Sequence, residues 1–247
     1  MPCGKGEKMA TEHILGISVT DLDYSELRNN IIKDIENNKK SFIVAINPEK
    51  ILKALKNPQT KEILELADYP IPDGIGVVIA SKLKKGNIKQ RVTGIDCMNM
   101  LCSLSNEKGY KIFLYGACAE AVKGAKAKLE TEYPDINIVG VIDGYEKDQE
   151  KILAAINTSK ADIIFIALGS PKQELWIKEN IEKVTPKIFL GVGGSFDVLS
   201  GRIKRAPEWM QKIGLEWLYR LILEPKRIFR QSKLIKFIFL VLFRKEK

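Results

Sequence analysis

A chain of 247 residues can bury a full core and is long for one domain, though α/β folds reach that size. Its net charge of +9 is uneven: from Arg202 to Lys247 there are thirteen Lys/Arg against four Asp/Glu, so the preceding 201 residues hold equal numbers of each sign and read as a neutral globule before a basic tail. Four cysteines without CxxC spacing and one histidine, His13, argue against a zinc site and a Ser/Cys–His catalytic pair, and no window holds the roughly 18 apolar residues of a spanning helix.

Met1 to Thr11 is polar and shows no signal-peptide pattern. Ile14 to Val19 alternates weakly, as a short strand or edge hairpin would. Asp21-Leu-Asp23 has the form of a metal-binding DxD, but a helix N-cap before Leu27, Ile31, Ile32 and Ile35 is the simpler reading. Ser41 to Ile46 is a buried strand ending in Asn47-Pro48-Glu49-Lys50. Pro48 suits a helix start, and Asn47 is left at the strand's carboxyl edge, to cap the helix or hold a ligand. Ile51 to Leu66 is helical by spacing, with a break at Asn57-Pro58. Pro70 and Pro72 then fix an extended approach to Asp73-Gly74, and Ile75 to Ala80 begins a helix or buried segment. Asp73 fits a turn or cap, and equally a general base, since partial desolvation in an apolar loop raises a carboxylate's pKa toward the working range.

Gln90 to Asp96 is a polar loop before a helix carrying Met98, Leu101 and Leu104; Arg91 and Thr93 in it suit an anion or the surface. Strands follow at Lys111 to Tyr115 and Asn137 to Ile142, the second closed by Asp143-Gly144-Tyr145, with helices at Glu120 to Tyr133 and Lys151 to Ser159. The run from Asp162 to Glu179 organises the chain. Ile163 to Leu168 is the continuous apolar run of a strand buried on both faces, and Gly169-Ser170-Pro171 turns it into a helix opening with Lys172, Gln173 and Glu174. In open α/β sheets ligands bind at that carboxyl edge, and free amides at a helix start suit phosphate, though an ordinary loop with solvated polar residues looks the same. Lys187 to Val192 is the last strand, and Gly191-Val192-Gly193-Gly194 lies too late for a dinucleotide fingerprint. The repeated strand–turn–helix unit predicts an α/β fold: a Rossmann-like, mainly parallel sheet with helices on both faces.

The tail differs in texture. Pro207 and Pro225 each open a helix by position, and Trp209, Ile213, Trp217 and Leu221 recur at helical spacing, as a core or docking stripe does. Aromatic residues interleaved with Arg and Lys also suit a helix lying in a lipid headgroup layer. Phe237 to Phe243, flanked by Lys233, Lys236, Arg244 and Lys245, favours that reading over a nucleic-acid arm. The predicted organisation is a core at 12–200 and a helical, basic, membrane-associating appendage at 201–247.

Seven motifs in this order (Asn47-Pro-Glu-Lys50, Pro72-Asp-Gly-Ile-Gly76, Arg91-Val-Thr-Gly94, Asp143-Gly-Tyr145, Gly169-Ser-Pro-Lys-Gln-Glu174, Gly193-Gly-Ser-Phe-Asp197, and Lys204-Arg-Ala-Pro207 with Leu215-Glu-Trp-Leu-Tyr-Arg220) resemble the WecG/TagA/CpsF glycosyltransferases over roughly residues 14 to 232, most of all the TagA branch. The resemblance implies an inverting, metal- and cofactor-independent transfer of N-acetylmannosamine from UDP-N-acetylmannosamine to the lipid acceptor undecaprenyl-diphospho-GlcNAc, in the linkage unit of wall teichoic acid. The WecG branch uses UDP-N-acetylmannosaminuronic acid instead. The family's catalytic aspartate falls on Asp73, implied as the base for the acceptor's 4-hydroxyl, and its conserved Asn on Asn47. Arg91, Thr93, Tyr145 and Gln173 match pocket positions. The tail arginines Arg202, Arg205, Arg220, Arg227 and Arg230 are implied in holding diphosphate. A threonine that TagA relatives often carry two residues before the Asn is Ala45 here.

A metal-free diphosphate leaving group needs cations from the protein; by sequence the neutral globule is short of clustered cations, and the tail has them. The implied location is cytoplasmic, attached peripherally to the inner face of an anionic membrane through the tail; homo-oligomerisation is left open. The rival from another class is a nucleic-acid-binding α/β protein using the tail as an arm, which a steep salt dependence would reveal. A nucleotide-dependent oxidoreductase lacks its early Gly-rich turn.

Overall fold

The computed structural model describes residues 10–223 and 228–243. It opens on an antiparallel hairpin of β1 (Thr11–Ile14) and β2 (Ile17–Thr20), so the turn falls inside the segment that alternation marks as extended. Leu15 and Gly16, both with positive φ, form that turn. The central layer is one sheet of β3 (Ser41–Ile46), β4 (Tyr69–Pro72), β5 (Lys111–Gly116), β6 (Asn137–Ile142), β7 (Ile163–Ala167) and β8 (Ile188–Gly191). Its order is β4-β3-β8-β7-β5-β6, with every pairing parallel.

Side-chain alternation explains why the inner strands read as unbroken apolar runs. In β3, Phe42, Val44 and Ile46 enter one core while Ile43 and Ala45 enter the other; in β7, Ile164 and Ile166 oppose Ile163, Phe165 and Ala167. The first core is closed by α2 (Pro48–Ala54), α3 (Pro58–Glu65), α4 (Ile75–Leu83), α7 (Gln149–Ser159) and α8 (Lys172–Asn180). The second is closed by α1 (Tyr24–Glu36), α5 (Gly94–Lys108), α6 (Ala119–Glu132) and α9 (Ser195–Leu199). At the start of α1 the Asp23 carboxylate accepts from the Glu26 amide while Glu26 accepts from the Asp23 amide, a reciprocal cap that gives Asp23 a local role.

Two features depart from the sequence expectations. The extended approach at Tyr69–Pro72 is a full strand; its two prolines are tolerated because β4 pairs only with β3, at the edge of the sheet. Among its described residues the tail also carries three helices rather than two: α10 (Glu208–Lys212), α11 (Glu216–Leu223) and α12 (Ile228–Phe243). The stripe expected from Trp209 to Leu221 is interrupted at Gly214, whose φ is +76°. A Cβ there would lie 3.1 Å from Ile75 Cγ1, so the chain bends where it presses on the start of α4. Trp209 and Ile213 end up 61% and 58% exposed, whereas Trp217 turns toward the carboxyl edge of the sheet.

The last helix returns to the core. Phe237 and Val241 of α12 are buried in the first core, against the side carrying α2 and α4. Full burial of two such side chains is worth about 1.5–3 kcal/mol each.

Candidate active site

A cavity of about 610 Å³ opens at the carboxyl edge of β4, β3, β8 and β7. The loops after these strands supply its floor, and the tail supplies Gly214, Glu216, Trp217, Lys233 and Leu234. Sheet edges of this kind collect polar groups because each strand ends there and hands its chain to a helix.

Four of the predicted residues meet in it from four separate stretches of chain: Asn47, Asp73 and Arg91 from loops and Gln173 from the first turn of α8. Asp73 follows edge strand β4, and its amide donates to the Ile46 carbonyl at 2.7 Å, which fixes the loop to the end of β3. The side chain is half-buried. Asn47 takes the capping role at α2 and also stands at the cavity; its Oδ1 accepts from the Lys50 amide at 3.0 Å. Thr93 also lines it, as the cap of α5. Its hydroxyl donates to Asp96 Oδ2 at 2.6 Å, and its amide donates to the Tyr24 hydroxyl at 2.9 Å. Burial, the largest cause, pushes the Tyr24 hydroxyl up to about 12, so it remains a neutral acceptor for that amide.

Gln173 is 3% exposed and built into the wall. Its Oε1 accepts from the Gly193 amide at 3.0 Å, and its Nε2 donates to Glu174 Oε1 at 3.2 Å. Glycine is needed beneath it: a Cβ on Gly191 would lie 2.4 Å from Gln173 Nε2. The same Glu174 oxygen receives the Lys50 ammonium at 2.7 Å.

Lys50 and Glu174 escape a reading of spacing because their pairing joins α2 to α8 across the sheet edge. One signal was available: Lys50 lies in the first turn of α2, where the helix dipole disfavours a cation, so an acidic partner is required nearby. Lys50, Lys53 and Arg91 of the core also line this cavity, each beside a different carboxylate: Glu174, Glu49 and Glu216.

Two arginines meet the tail. Arg91 donates to the Gln211 carbonyl and lies 3.7 Å from Glu216 Oε2. Arg205 donates to Asp96 Oδ1 at 2.6 Å, with its Nε 3.9 Å from Glu216 Oε1. Glu216, 8% exposed, thus joins a core arginine to a tail arginine at the cavity.

Three expected residues lie elsewhere: Arg205 does not itself line the cavity and meets it only through Glu216. Tyr145 is 76% exposed on the turn after β6, outside the cavity, because β6 is the far edge strand of the sheet. Arg202 lies outside it as well, near Glu120 at 3.8 Å and Asp197 at 3.6 Å. The backbones of Arg220 and Arg230 belong to α11 and α12; their side chains, and Arg227 altogether, lie outside the described residues. Among the described residues no three His, Cys, Asp or Glu side chains gather as a metal site would.

The sequence profile of the Glycosyl transferase WecG/TagA/CpsF family matches residues 12–247. A Bacillus subtilis strain 168 protein named N-acetylglucosaminyldiphosphoundecaprenol N-acetyl-beta-D-mannosaminyltransferase is 41% identical over 203 residues, 82% of this chain and 79% of its own. A Bacillus spizizenii strain W23 protein of the same name is 38% identical over 208 residues, 84% of this chain and 81% of its own. The match takes in both the sheet-edge cavity and the tail that closes one side of it, and the chain belongs to the WecG/TagA/CpsF glycosyltransferase family.

Proposed function

We propose that this enzyme transfers N-acetylmannosamine from UDP-N-acetylmannosamine to undecaprenyl-diphospho-GlcNAc, the step that builds the linkage unit of wall teichoic acid. The observation that carries this reading is the convergence of Asp73, Asn47, Arg91 and Gln173 on one cavity that the tail closes on one side. The shared name of the two relatives supports the choice of sugar and acceptor.

In the proposed reaction the Asp73 carboxylate takes the proton of the acceptor's 4-hydroxyl as that oxygen attacks the anomeric carbon of the donor sugar. The new C–O bond forms on the face opposite the breaking bond to the diphosphate, so configuration inverts and UDP leaves with the bonding pair. Arg91, with Arg205 behind it, is placed to stabilise the negative charge that develops on UDP, and a planar guanidinium binds two phosphate oxygens at once. Gln173, held by Gly193 and Glu174, is a fixed polar wall against which a sugar can be oriented.

Attachment to a membrane belongs to the same proposal. Among the described residues no helix is long and apolar enough to cross a bilayer. The outer side of α12 nevertheless exposes Ile235, Phe239, Leu242 and Phe243, at 54–76%, and α4 exposes Ile79 and Leu83. An apolar helix face bordered by lysines suits an interfacial position beside a lipid-linked acceptor.

The deciding experiment is product analysis with a short-chain prenyl-diphospho-GlcNAc acceptor, without added metal, offering UDP-N-acetylmannosamine and UDP-N-acetylmannosaminuronic acid in separate reactions. A disaccharide product from the first donor alone is expected. Product from the uronic acid alone would assign the WecG-type reaction instead.

A further inference from the structure

Basic side chains reach the cavity in two separate places. On one side Arg91 lines it and shares Glu216 with Arg205, which sits behind the wall. On the side formed by α2 and α12, Lys53 lies 3.6 Å from Glu49 Oε1, and Lys233 lies 3.0 Å from the same oxygen. All three line the cavity. Two ammonium groups on one carboxylate leave a local excess of positive charge. Both lysine side chains remain more than two-fifths exposed, so their remaining N–H donors face an opening that solvent reaches.

Holding α12 in place does not account for this arrangement. An exposed ion pair contributes about 0–1 kcal/mol, less than the burial of Phe237 and Val241 on the same helix. The backbone fit fixes the register instead. A Cβ on Gly76 would lie 2.6 Å from Pro48 Cγ and 2.8 Å from Leu234 Cδ1, so α12 is seated against the starts of α2 and α4 with Lys233, one residue earlier, at the cavity. Two residues beyond Lys233, at Ile235, the exposed apolar side of α12 begins, and α4, on which α12 packs, exposes Ile79 and Leu83. Cations at a cavity mouth followed by an uncovered apolar helix face fit a molecule with a diphosphate at one end and a long hydrocarbon at the other.

The geometry points to Lys53 and Lys233 as the subsite for the acceptor's prenyl diphosphate, with Glu49 occupying the position that the incoming diphosphate takes over. The Arg91–Arg205 group is then left to the donor's diphosphate. This rests on the proposed transfer to a lipid diphosphate, and it adds a division of labour between two sets of cations, one of which bridges core and tail.

The test is steady-state kinetics of the full chain with each substrate varied in turn, using a short-chain prenyl-diphospho-GlcNAc and UDP-N-acetylmannosamine. Lys53→Met and Lys233→Met should each raise the acceptor KM about tenfold, the loss of one charge-assisted hydrogen bond, with kcat and the donor KM little changed. Lys233→Arg should recover most of the loss. Glu49→Gln is the discriminating variant, because it leaves both cations and removes their competing carboxylate; it should lower the acceptor KM. If Glu49→Gln raises the acceptor KM as Lys233→Met does, the contact is only a helix-docking ion pair and the inference fails. A rise confined to the donor KM, or no change in either, also overturns it. Calorimetric binding of farnesyl diphosphate and of UDP separates this result from the identity of the transferred sugar. Lys233→Met should weaken farnesyl diphosphate and leave UDP unaffected, even if the native enzyme makes no product from UDP-N-acetylmannosamine. Equal affinity of native and variant protein for farnesyl diphosphate would refute the subsite.

Discussion

Lys50 places its ammonium 2.7 Å from Glu174 Oε1, and the two side chains are only 10% and 4% exposed. The pair joins the helix after β3 to the helix after β7, and Gln173 hangs from the same carboxylate oxygen. Removing one partner leaves a charge uncompensated in a low-dielectric wall, which costs about 3–5 kcal/mol, whereas replacing both with apolar groups of similar volume is often nearly neutral. Glu174→Leu should therefore destabilise the protein by roughly that amount, and Lys50→Met/Glu174→Leu should recover much of it. Denaturant unfolding of the four proteins in the cycle measures the coupling. Additive losses would mean that each side chain acts alone.

Asp73→Asn tests the proposed base. The substitution keeps the size of the side chain and the backbone hydrogen bond from residue 73 to the Ile46 carbonyl but cannot take a proton. Turnover should fall about 10²–10⁴-fold while UDP binding and the melting temperature stay close to those of the parent. Near-parent turnover across neutral pH would reduce Asp73 to a turn residue.

The strands and their order of appearance were legible because β3 and β7 are buried on both faces and need continuous apolar sequence. Asp23 and the Asn57–Pro58 break were legible because caps and proline act locally. The edge strand β4 was harder to read, since Pro70 and Pro72 argue against a strand wherever both sides must pair. In the site, residues in loops that follow strands at the carboxyl edge could be found from the topology alone. The Lys50–Glu174 and Arg91–Glu216 pairs could not, because each depends on a contact across more than a hundred residues. Tyr145 shows the opposite limit: its loop also follows a strand, but β6 lies at the far edge, away from the cavity.

Thiol chemistry gives an independent check on the second core. Burial pushes the Cys97 thiol up to about 12 and moves the Cys102 thiol upward as well. The thiolate is the reactive form, so raising these values lowers reactivity at any working pH, and burial blocks access besides. Iodoacetamide at about pH 8 should leave both unmodified in the folded protein and label the half-buried Cys118, with Cys97 and Cys102 labelled only in denaturant. Peptide mass spectrometry reads the outcome. Labelling of Cys102 in the native state would show that α5 opens without global unfolding.

Chelation should have little effect on turnover. The Asp23 carboxylate is committed to the Glu26 amide, and the developing charge has arginine and lysine partners at the cavity. Activity that disappears in EDTA and returns with Mg²⁺ or Mn²⁺ would reinstate the DxD reading of Asp21 and Asp23.

The final prediction separates anchoring from catalysis in the tail. If α12 served only to hold the protein on a membrane, undocking it would matter little for a water-soluble acceptor. Phe237 is fully buried where α12 meets the first core, while Lys233 and Leu234 on the same helix line the cavity. Phe237→Asp introduces a charge into that contact, and α12 can relieve the cost of burying it by leaving the core. The exposed Ile235, Phe239, Leu242 and Phe243 remain available to lipid. Turnover on a short-chain soluble acceptor should fall by at least about tenfold, mainly through the acceptor KM, while binding to anionic liposomes persists. The sheet core should remain folded, because Phe237 is one of many members of the first apolar cluster and the second cluster contains no residue of α12. Truncation after Ser200 should give the same loss of turnover and abolish liposome binding as well. Full activity of Phe237→Asp on soluble acceptor, with a circular dichroism spectrum like the parent's, would make α12 an anchor only.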